Sequence, residues 1–182
     1  MKKASSKHVA LLRGINVGGK NMLPMKELAA MFVKAGCVDV VTYIQSGNVV
    51  FSAEDKVVAG LSGAIAKQVE ARFGIQVSVV LRTAAEINAV IRGNPFLETG
   101  ANEEMLHVCF LAEQPGKDLV AGLDVGRSVP DAFDVVGREI YMQLVNGVSG
   151  TKLTNVYFDS KLKTVSTMRN WRTVLKLAEL LA

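Results

Sequence analysis

The sequence predicts an α+β fold made of two ferredoxin-like halves, each a split βαβ unit with antiparallel strands and helices packed on them. Two observations support this prediction. Segments within residues 8–82 follow the order strand, helix, strand, strand, helix, strand. The motif "HVALLR" at 8–13 returns as "HVCFLA" at 107–112, where a second set of elements begins. We therefore expect a second half that partly copies the first.

Each element of the first half has a local signal. Pro24 suits the start of a helix, because the N–H that proline lacks would have no partner there. The apolar residues that follow recur at helical spacing, and Gly36 closes this segment. A second helix contains Leu61, Ile65 and Val69 and ends at Gly74. The predicted strands of this half are 8–13, 39–45, 48–53 and 77–82.

The second half follows a connecting helix, for which Thr83 and Glu86 form a capping box. It should begin with the strand at 107–112. The later elements are a helix from Pro115 to about Leu123, a hairpin over 131–145 that turns near Gly137, and helices from about Thr151 to Leu162 and from about Thr167. A helix thus stands where a fourth strand is due, so we expect an incomplete second half that is closed by C-terminal helices.

The domain organisation follows from these elements. We expect a flexible N-terminal tail before a first half that includes the connecting helix, then a linker and the second half. The predicted ranges are 1–6, 7–93, 94–104 and 105–182.

Composition places the chain among ordinary globular proteins. It has 182 residues, of which 49% are hydrophobic and 21% charged. No segment approaches the roughly 20 apolar residues of a membrane helix, and residues 1–14 lack the apolar run of a signal peptide. We therefore expect a cytoplasmic protein without a membrane partner. The net charge of +4 favours acidic partners only weakly, because the basic residues are scattered.

Cysteine and histidine usage argues against disulfide and metal chemistry. Cys37 and Cys109 are far apart in apolar contexts, which is typical of reduced, buried thiols. The two histidines, His8 and His107, have no ligand-type residue at metal-binding spacing. We predict neither a metal site nor a cofactor.

The segment "LLRGINVGGKNMLP" at 11–24 matches the spacing of a P-loop through Gly14, Gly19 and Lys20. Three features argue against magnesium-dependent NTP hydrolysis. Asn21 replaces the hydroxyl residue, the helix starts about four residues after Lys20, and no apolar strand ends in Asp. Two interpretations stay open, a turn whose glycines serve only backbone shape and a loop that binds an anion or another polar ligand.

The predicted topology places this loop beside the turn between the second and third strands. In a split βαβ unit, the ends of strands one and two and the start of strand three share one edge of the sheet. The side chains there offer donors and amides that can hold phosphate or carboxylate, with no evident general base or activated nucleophile. The candidate binding residues at this edge are Arg13, Asn16, Gly18, Gly19, Lys20, Asn21, Gln45, Ser46 and Asn48.

The C-terminal motif "TMRNWRTVLKL" supplies three further candidates. Trp171 belongs to an apolar helix face with Val174 and Leu181, which indicates a core residue rather than a ligand platform. A basic stripe consists of Arg169, Arg172, Thr173 and Lys176. It is either a solvated face or part of the anion site. In the second case Arg169, Asn170 and Arg172 would face the glycine-rich loop, and the sequence does not decide between the two.

Four motifs together carry a family resemblance: "ALLRGINVGGKNMLPM", "TYIQSGNVVF", "GNPF" and "TMRNWRTVLKL". With them the chain resembles the bacterial family of uncharacterised proteins called domain of unknown function 1697. The resemblance covers essentially the whole chain and implies an α+β fold of two ferredoxin-like halves. It implies no reaction, ligand or catalytic residue.

Three function hypotheses remain. The one favoured is binding of an anion, a nucleotide or a nucleic acid through the donor-rich edge, with a phosphate-bearing ligand or nucleic acid as partner. Recognition by the sheet face is disfavoured, since Phe51 is the one aromatic residue in the two central strands. The alternatives are an enzyme for a small phosphorylated or carboxylated metabolite and a protein-interaction module. The oligomeric state stays open.

Overall fold

The computed structural model describes residues 5–182, so residues 1–4 of the predicted N-terminal tail lie outside the described residues. It contains two antiparallel four-stranded sheets with helices. The chain divides into two compact units. The first runs to Ile87 and includes Leu177–Ala182, and the second is Asn88–Lys176. This mixed α+β architecture is consistent with the predicted pair of ferredoxin-like halves.

The strands of the first sheet are β1 (Ser6–Arg13), β2 (Val38–Tyr43), β3 (Asn48–Ala53) and β4 (Ser78–Thr83). They lie in the order of a split βαβ unit, β2-β3-β1-β4. β1 pairs antiparallel with both β3 and β4. The helices of this sheet are α1 (Met25–Lys34) and α2 (Asp55–Phe73).

The core of the first unit lies between one face of this sheet and the two helices. Leu12 and Phe51 project from neighbouring strands into a buried cluster that also holds Phe32 of α1 and Ile65 of α2. The rings of Phe32 and Phe51 are 5.3 Å apart. Gly74 ends α2 with φ +66°, as its position in the sequence predicts. Burial of this apolar face thus holds the elements that support the glycine-rich loop.

The predicted capping box is confirmed. The backbone N–H of Thr83 donates to Glu86 Oε2 (2.7 Å), and the backbone N–H of Glu86 donates to Thr83 Oγ1 (3.1 Å). Helix α3 (Ala84–Arg92) begins immediately after Thr83.

The strands of the second sheet are β5 (Leu106–Leu111), β6 (Ala132–Val136), β7 (Glu139–Gln143) and β8 (Ser166–Asn170). Their order, β6-β7-β5-β8, is equivalent to that of the first sheet. The remaining helices are α4 (Pro95–Glu98), α5 (Lys117–Ala121), α6 (Gly147–Gly150), α7 (Asn155–Leu162) and α8 (Trp171–Leu181), with one 3₁₀ turn at Glu103–Met105. The predicted hairpin turn at Gly137 is confirmed by a φ of +62°.

The predicted C-terminal helix is present as Trp171–Leu181, but its start at about Thr167 is wrong, because Ser166–Asn170 is strand β8 and pairs antiparallel with β5. The second sheet is therefore complete rather than missing its fourth strand. Polar residues hid this strand: Ser166 and Thr167 are both buried, and they give no apolar run. The helix predicted from about Thr151 begins instead at Asn155, where Thr154 Oγ1 accepts from the backbone N–H of Tyr157 (3.2 Å).

A buried carboxylate joins two loops of the second unit. Asp131 is only 5% exposed. Its Oδ1 accepts from the backbone N–H of Asn146 (2.8 Å), and its Oδ2 accepts from Ser128 Oγ (2.8 Å). Burial works to raise the pKa of Asp131, but its hydrogen bonds with Asn146, Thr151 and Ser128 outweigh burial and lower the pKa below its ordinary value. The ionised form therefore stabilises this loop junction.

Candidate functional site

The structure brings the glycine-rich loop and the β2–β3 turn together at one edge of the first sheet. We call residues 13–24 and 44–48 the loop edge. Asn48 at the start of β3 pairs with both Leu11 of β1 and Tyr43 of β2. The backbone N–H of Leu12 donates to the carbonyl oxygen of Gly47 (2.8 Å). The end of β1 thus lies directly against the turn.

The backbone of the loop is unusual. The angle φ is positive at Gly14, Asn16, Gly18, Gly19 and Asn21. At its tip the backbone N–H of Lys20 donates to the carbonyl oxygen of Val17 (3.0 Å), closing a tight turn with both central residues at positive φ. A positive φ is strained for any residue except glycine, although asparagine tolerates it best. Other contacts must therefore hold this conformation.

Asparagine side chains supply those contacts. Asn16 Nδ2 donates to the carbonyl oxygens of Leu23 (3.0 Å) and Gln45 (2.9 Å), while its Oδ1 accepts from the backbone N–H of Leu23 (2.7 Å). Asn21 Nδ2 donates to the carbonyl oxygen of Gly14 (2.8 Å). Asn16 therefore joins three segments, and Asn21 closes the loop on itself.

Asn48 does the same for the neighbouring turn. It is fully buried, and its Nδ2 donates to the carbonyl oxygen of Tyr43 (3.1 Å) and to Ser46 Oγ (2.9 Å). Three candidate amides, those of Asn16, Asn21 and Asn48, thus bind their own chain. They give the loop edge its shape.

The remaining candidates form the surface of the edge. Gly18, Gly19, Lys20 and Gln45 are exposed, whereas Arg13 at the end of β1 is half-buried. A Cβ atom built on Gly18 or Gly19 would meet no heavy atom within 4 Å, so the backbone there is open to an approaching group. An exposed ammonium beside accessible backbone can contact an anion.

The position of α1 separates this loop from a P-loop. The helix begins at Met25, after Pro24 in extended conformation (ψ 127°). A P-loop needs its helix to start at the Gly-Lys pair, so that free backbone N–H groups face the phosphates. Lys20 stands five positions before Met25 and belongs to the tip turn. Any anion at this tip would contact Lys20 and loop backbone rather than the first turn of α1.

The three C-terminal candidates do not share a helix face. Arg169 lies in β8 and is 7% exposed, and its Nη1 donates to Thr167 Oγ1 (2.8 Å) and to the carbonyl oxygen of Met168 (2.8 Å). Burial lowers the pKa of Arg169 to about 10, which leaves it charged at neutral pH. The predicted basic stripe is wrong, because Arg169 belongs to a strand and Thr173 is buried.

Asn170, the last residue of β8, and Arg172, in the first turn of α8, lie at the junction of these two elements. Asn170 Oδ1 accepts from the backbone N–H of Thr173 (2.8 Å), as an N-cap does. Arg172 is exposed. Both line an open cleft of about 400 Å³ with Glu103, Glu104, Trp171 and Leu175. Trp171 itself is 2% exposed, in keeping with its expected place in the core.

Within residues 5–182, no group of three or more His, Cys, Asp or Glu side chains is arranged to hold a metal ion. No helix in the same range combines the length and apolar character needed to cross a membrane.

Comparison with known families identifies the chain. Residues 5–141 match the model of a family described as protein of unknown function, DUF1697. The chain belongs to this family. The matched range of the DUF1697 chain starts one residue before β1 and ends within β7, so it includes the entire loop edge.

A solved structure has a similar fold. It is that of the conserved bacterial protein SP0830 from Streptococcus pneumoniae, with a TM-score of 0.73 and 24% sequence identity. The alignment covers 98% of the DUF1697 chain and 100% of the other protein. At this identity the likeness shows the fold alone. No curated protein matches the chain.

Sequence reasoning missed two features of these sites. The first is that the amides of Asn16 and Asn21 point into the chain. Their positions in "GIN" and "GKN", within a run of glycines, were the available signal, since asparagine often adopts positive φ in turns. The second is the cleft beside Glu103 and Glu104, for which nothing local in the sequence gives a signal.

Proposed function

We propose that the loop edge binds a phosphate-bearing ligand, and that Lys20 makes the principal charged contact. The observation that supports this most is a loop of high conformational cost whose tip carries an exposed cation. Positive φ at Asn16 and Asn21 costs on the order of 1–3 kcal/mol each, and their side chains are used to maintain it. A loop that is already rigid loses little entropy when a ligand binds.

The charge of the edge favours an anion. The loop edge, residues 13–24 and 44–48, includes two basic residues, Arg13 and Lys20, and no Asp or Glu. The first carboxylate after Lys20 in the sequence is that of Glu27 in α1. The open backbone at Gly18 and Gly19 would let phosphate oxygens approach peptide N–H groups as well as the Lys20 ammonium. The phosphate could belong to a nucleotide or to a nucleic-acid backbone, because both present the same oxygens.

Protein docking is a second candidate function for the same edge. Val17 is 66% exposed, Met22 63% and Ile44 50%. Each of the three is next in sequence to one of the residues that Asn16 joins, namely Asn16 itself, Leu23 and Gln45. The three apolar side chains therefore lie in one region of the surface. Exposed apolar side chains rimmed by polar groups are typical of interaction surfaces.

A thermal-shift titration distinguishes the two functions. Pyrophosphate, AMP and a single-stranded RNA decamer would be added without magnesium at low and at high salt. Saturating ligand at about 100 times its Kd stabilises the fold by about 2.7 kcal/mol. We expect at least one probe to raise the Tm at low salt, and less so at high salt because the contact is ionic.

Matched variants locate the contact. Lys20→Gln should lower affinity by about tenfold, while Lys67→Gln, which removes an exposed charge on α2, should leave it unchanged. The proposal is wrong if no probe shifts the Tm, or if the Lys20 variant binds as well as the wild type. In the first case the protein-docking function becomes the favoured one.

A further inference from the structure

The cleft at the start of α8 carries charges of both signs that are not paired with each other. Glu103 and Glu104 come from the 3₁₀ turn before β5, and Arg172 comes from the first turn of α8. The pairing of His107 with Asn170 brings these two segments together. Across residues 5–182, the side chains of Glu103, Glu104 and Arg172 take part in no ion pair or hydrogen bond.

Packing does not keep the two glutamates apart from Arg172, since all three side chains are exposed. The first unit shows the usual alternative: Arg72 Nη2 lies 2.6 Å from Glu27 Oε2 on the surface. Within the cleft, opposite charges instead line one open volume of about 400 Å³, which is the size of a small-molecule site. A ligand that carries both charges can bridge them.

The apolar lining limits the ligand further. Trp171 and Leu175 lie along the helix side of the cleft, and Asn170 adds an amide whose Oδ1 already caps the helix. The two carboxylates outnumber the single guanidinium, so the cleft attracts an ammonium group more strongly than a carboxylate. An aliphatic side chain on the same molecule would rest against these apolar side chains.

We propose that this cleft binds a small zwitterion of the α-amino-acid type. Its ammonium group pairs with Glu103 and Glu104, and its carboxylate pairs with Arg172. The loop edge of the first unit plays no part in this site, so the proposal stands independently of phosphate binding.

Tryptophan fluorescence provides the test, because Trp171 is the single tryptophan of the chain. Glycine, L-leucine, L-lysine and L-arginine would be titrated into the full-length protein with excitation selective for tryptophan. Two compounds dissect L-leucine: 3-methylbutylamine lacks its carboxylate, and 4-methylpentanoate lacks its ammonium group. We expect at least one amino acid to give a saturable change, and each fragment of L-leucine to bind about tenfold more weakly than L-leucine.

The charged residues of the cleft are exposed, so they can be replaced without disturbing the core. Arg172→Gln and the double variant Glu103→Gln with Glu104→Gln should each lower amino-acid affinity about tenfold. Arg92→Gln and Glu98→Gln, which remove exposed charges elsewhere in the second unit, should not. Absence of a saturable change with every amino acid overturns the proposal. So does equal binding by 3-methylbutylamine and L-leucine, or unchanged affinity in the Arg172 variant.

Discussion

The same edge of the two sheets is built in different ways. In the first unit, β1 leads into the long connection 14–24 before α1, whereas in the second unit β5 leads through 112–116 directly to α5. Positive φ angles recur along 14–21, and none occurs along 112–116, a range that the structure describes completely. The strand order does not require the long loop, because the second sheet forms without one. The loop is therefore an addition to the shared architecture.

The two units nevertheless share a backbone hydrogen bond beside these connections. The backbone N–H of Leu12 donates to Gly47 O (2.8 Å), and that of Leu111 donates to Arg138 O (2.9 Å), each joining a central strand to the neighbouring turn. The similarity makes the contrast between the two connections sharper.

Each unit also has a buried histidine and a buried arginine at equivalent strand positions. Nδ1 of His8 lies 2.9 Å from Ser6 O, and Nδ1 of His107 lies 3.2 Å from Met105 O. Buried arginines pair across the sheet with the residue that follows each histidine, as Val9 with Arg82 and Val108 with Arg169. These equivalences support the hypothesis that the second half copies the first.

The largest expected effect on stability comes from replacing the glycine in the β2–β3 turn, compared with the glycine in the β6–β7 turn. A Cβ on Gly47 would lie 2.8 Å from Leu12 Cβ and 3.0 Å from Ile15 Cδ1, at a φ of +81°. Gly47→Ala should cost about 3 kcal/mol of unfolding free energy or more. Gly137→Ala, at a φ of +62° but with its nearest neighbour 3.9 Å away, should cost about 1–2 kcal/mol. Urea unfolding measures both, and equal losses would show that the first turn is no more tightly packed than the second.

The next effect concerns the amides that hold the loop. Asn16→Ala removes bonds to Leu23 and Gln45 and should cost about 2–3 kcal/mol, whereas Asn21→Ala removes one bond and should cost about 1 kcal/mol. Urea unfolding again provides the measurement. A loss below that of Asn21→Ala would mean that Asn16 does not join the three segments in solution.

The second unit offers a pH-dependent counterpart. The folded-state pKa of Asp131 is lowered, so its contribution to stability is present above the unfolded pKa of about 4 and is lost as the pH falls through the folded value. Asp131→Asn should cost about 1–2 kcal/mol at pH 7 and less at pH 3. Asp134→Asn, at an exposed position of β6, is the control. A deficit that stays constant between pH 7 and pH 3 would contradict the lowered pKa.

The smallest effect on stability is expected at the tip of the loop. Lys20→Gln changes an exposed side chain and should alter the unfolding free energy by less than about 0.5 kcal/mol. Its thermal denaturation should therefore overlay that of the wild type in the absence of ligand. A larger loss would assign Lys20 a structural role and remove its availability for an anion.

Local signals explain how much of the fold could be predicted. The bounds 48–53 of β3 and the capping box of Thr83 and Glu86 follow from neighbouring residues alone. Strand β8 could not be predicted from an apolar pattern, because Ser166, Thr167 and Arg169 are buried polar residues. Their burial depends on the completed tertiary structure.

The candidate site divides in the same manner. Topology alone predicts that the loop meets the turn, and the structure places Asn16 against Gln45 accordingly. The direction of each amide was not predictable, because Asn16 finds its partners up to 29 positions away. Sequence reasoning identified polar residues at the right edge, but it could not separate those that shape the loop from those that remain exposed.

The most direct test of the account is an amide NMR titration of the full-length protein with pyrophosphate at low salt. We expect the signals of Gly18, Gly19, Lys20 and Gln45 to shift together and saturate, while those of 112–116 stay in place. Lys20→Gln should weaken the shifts, and Lys67→Gln should not. Equal shifts at the two sheet edges, or none at 14–21, would contradict the claim that the added loop is the phosphate site.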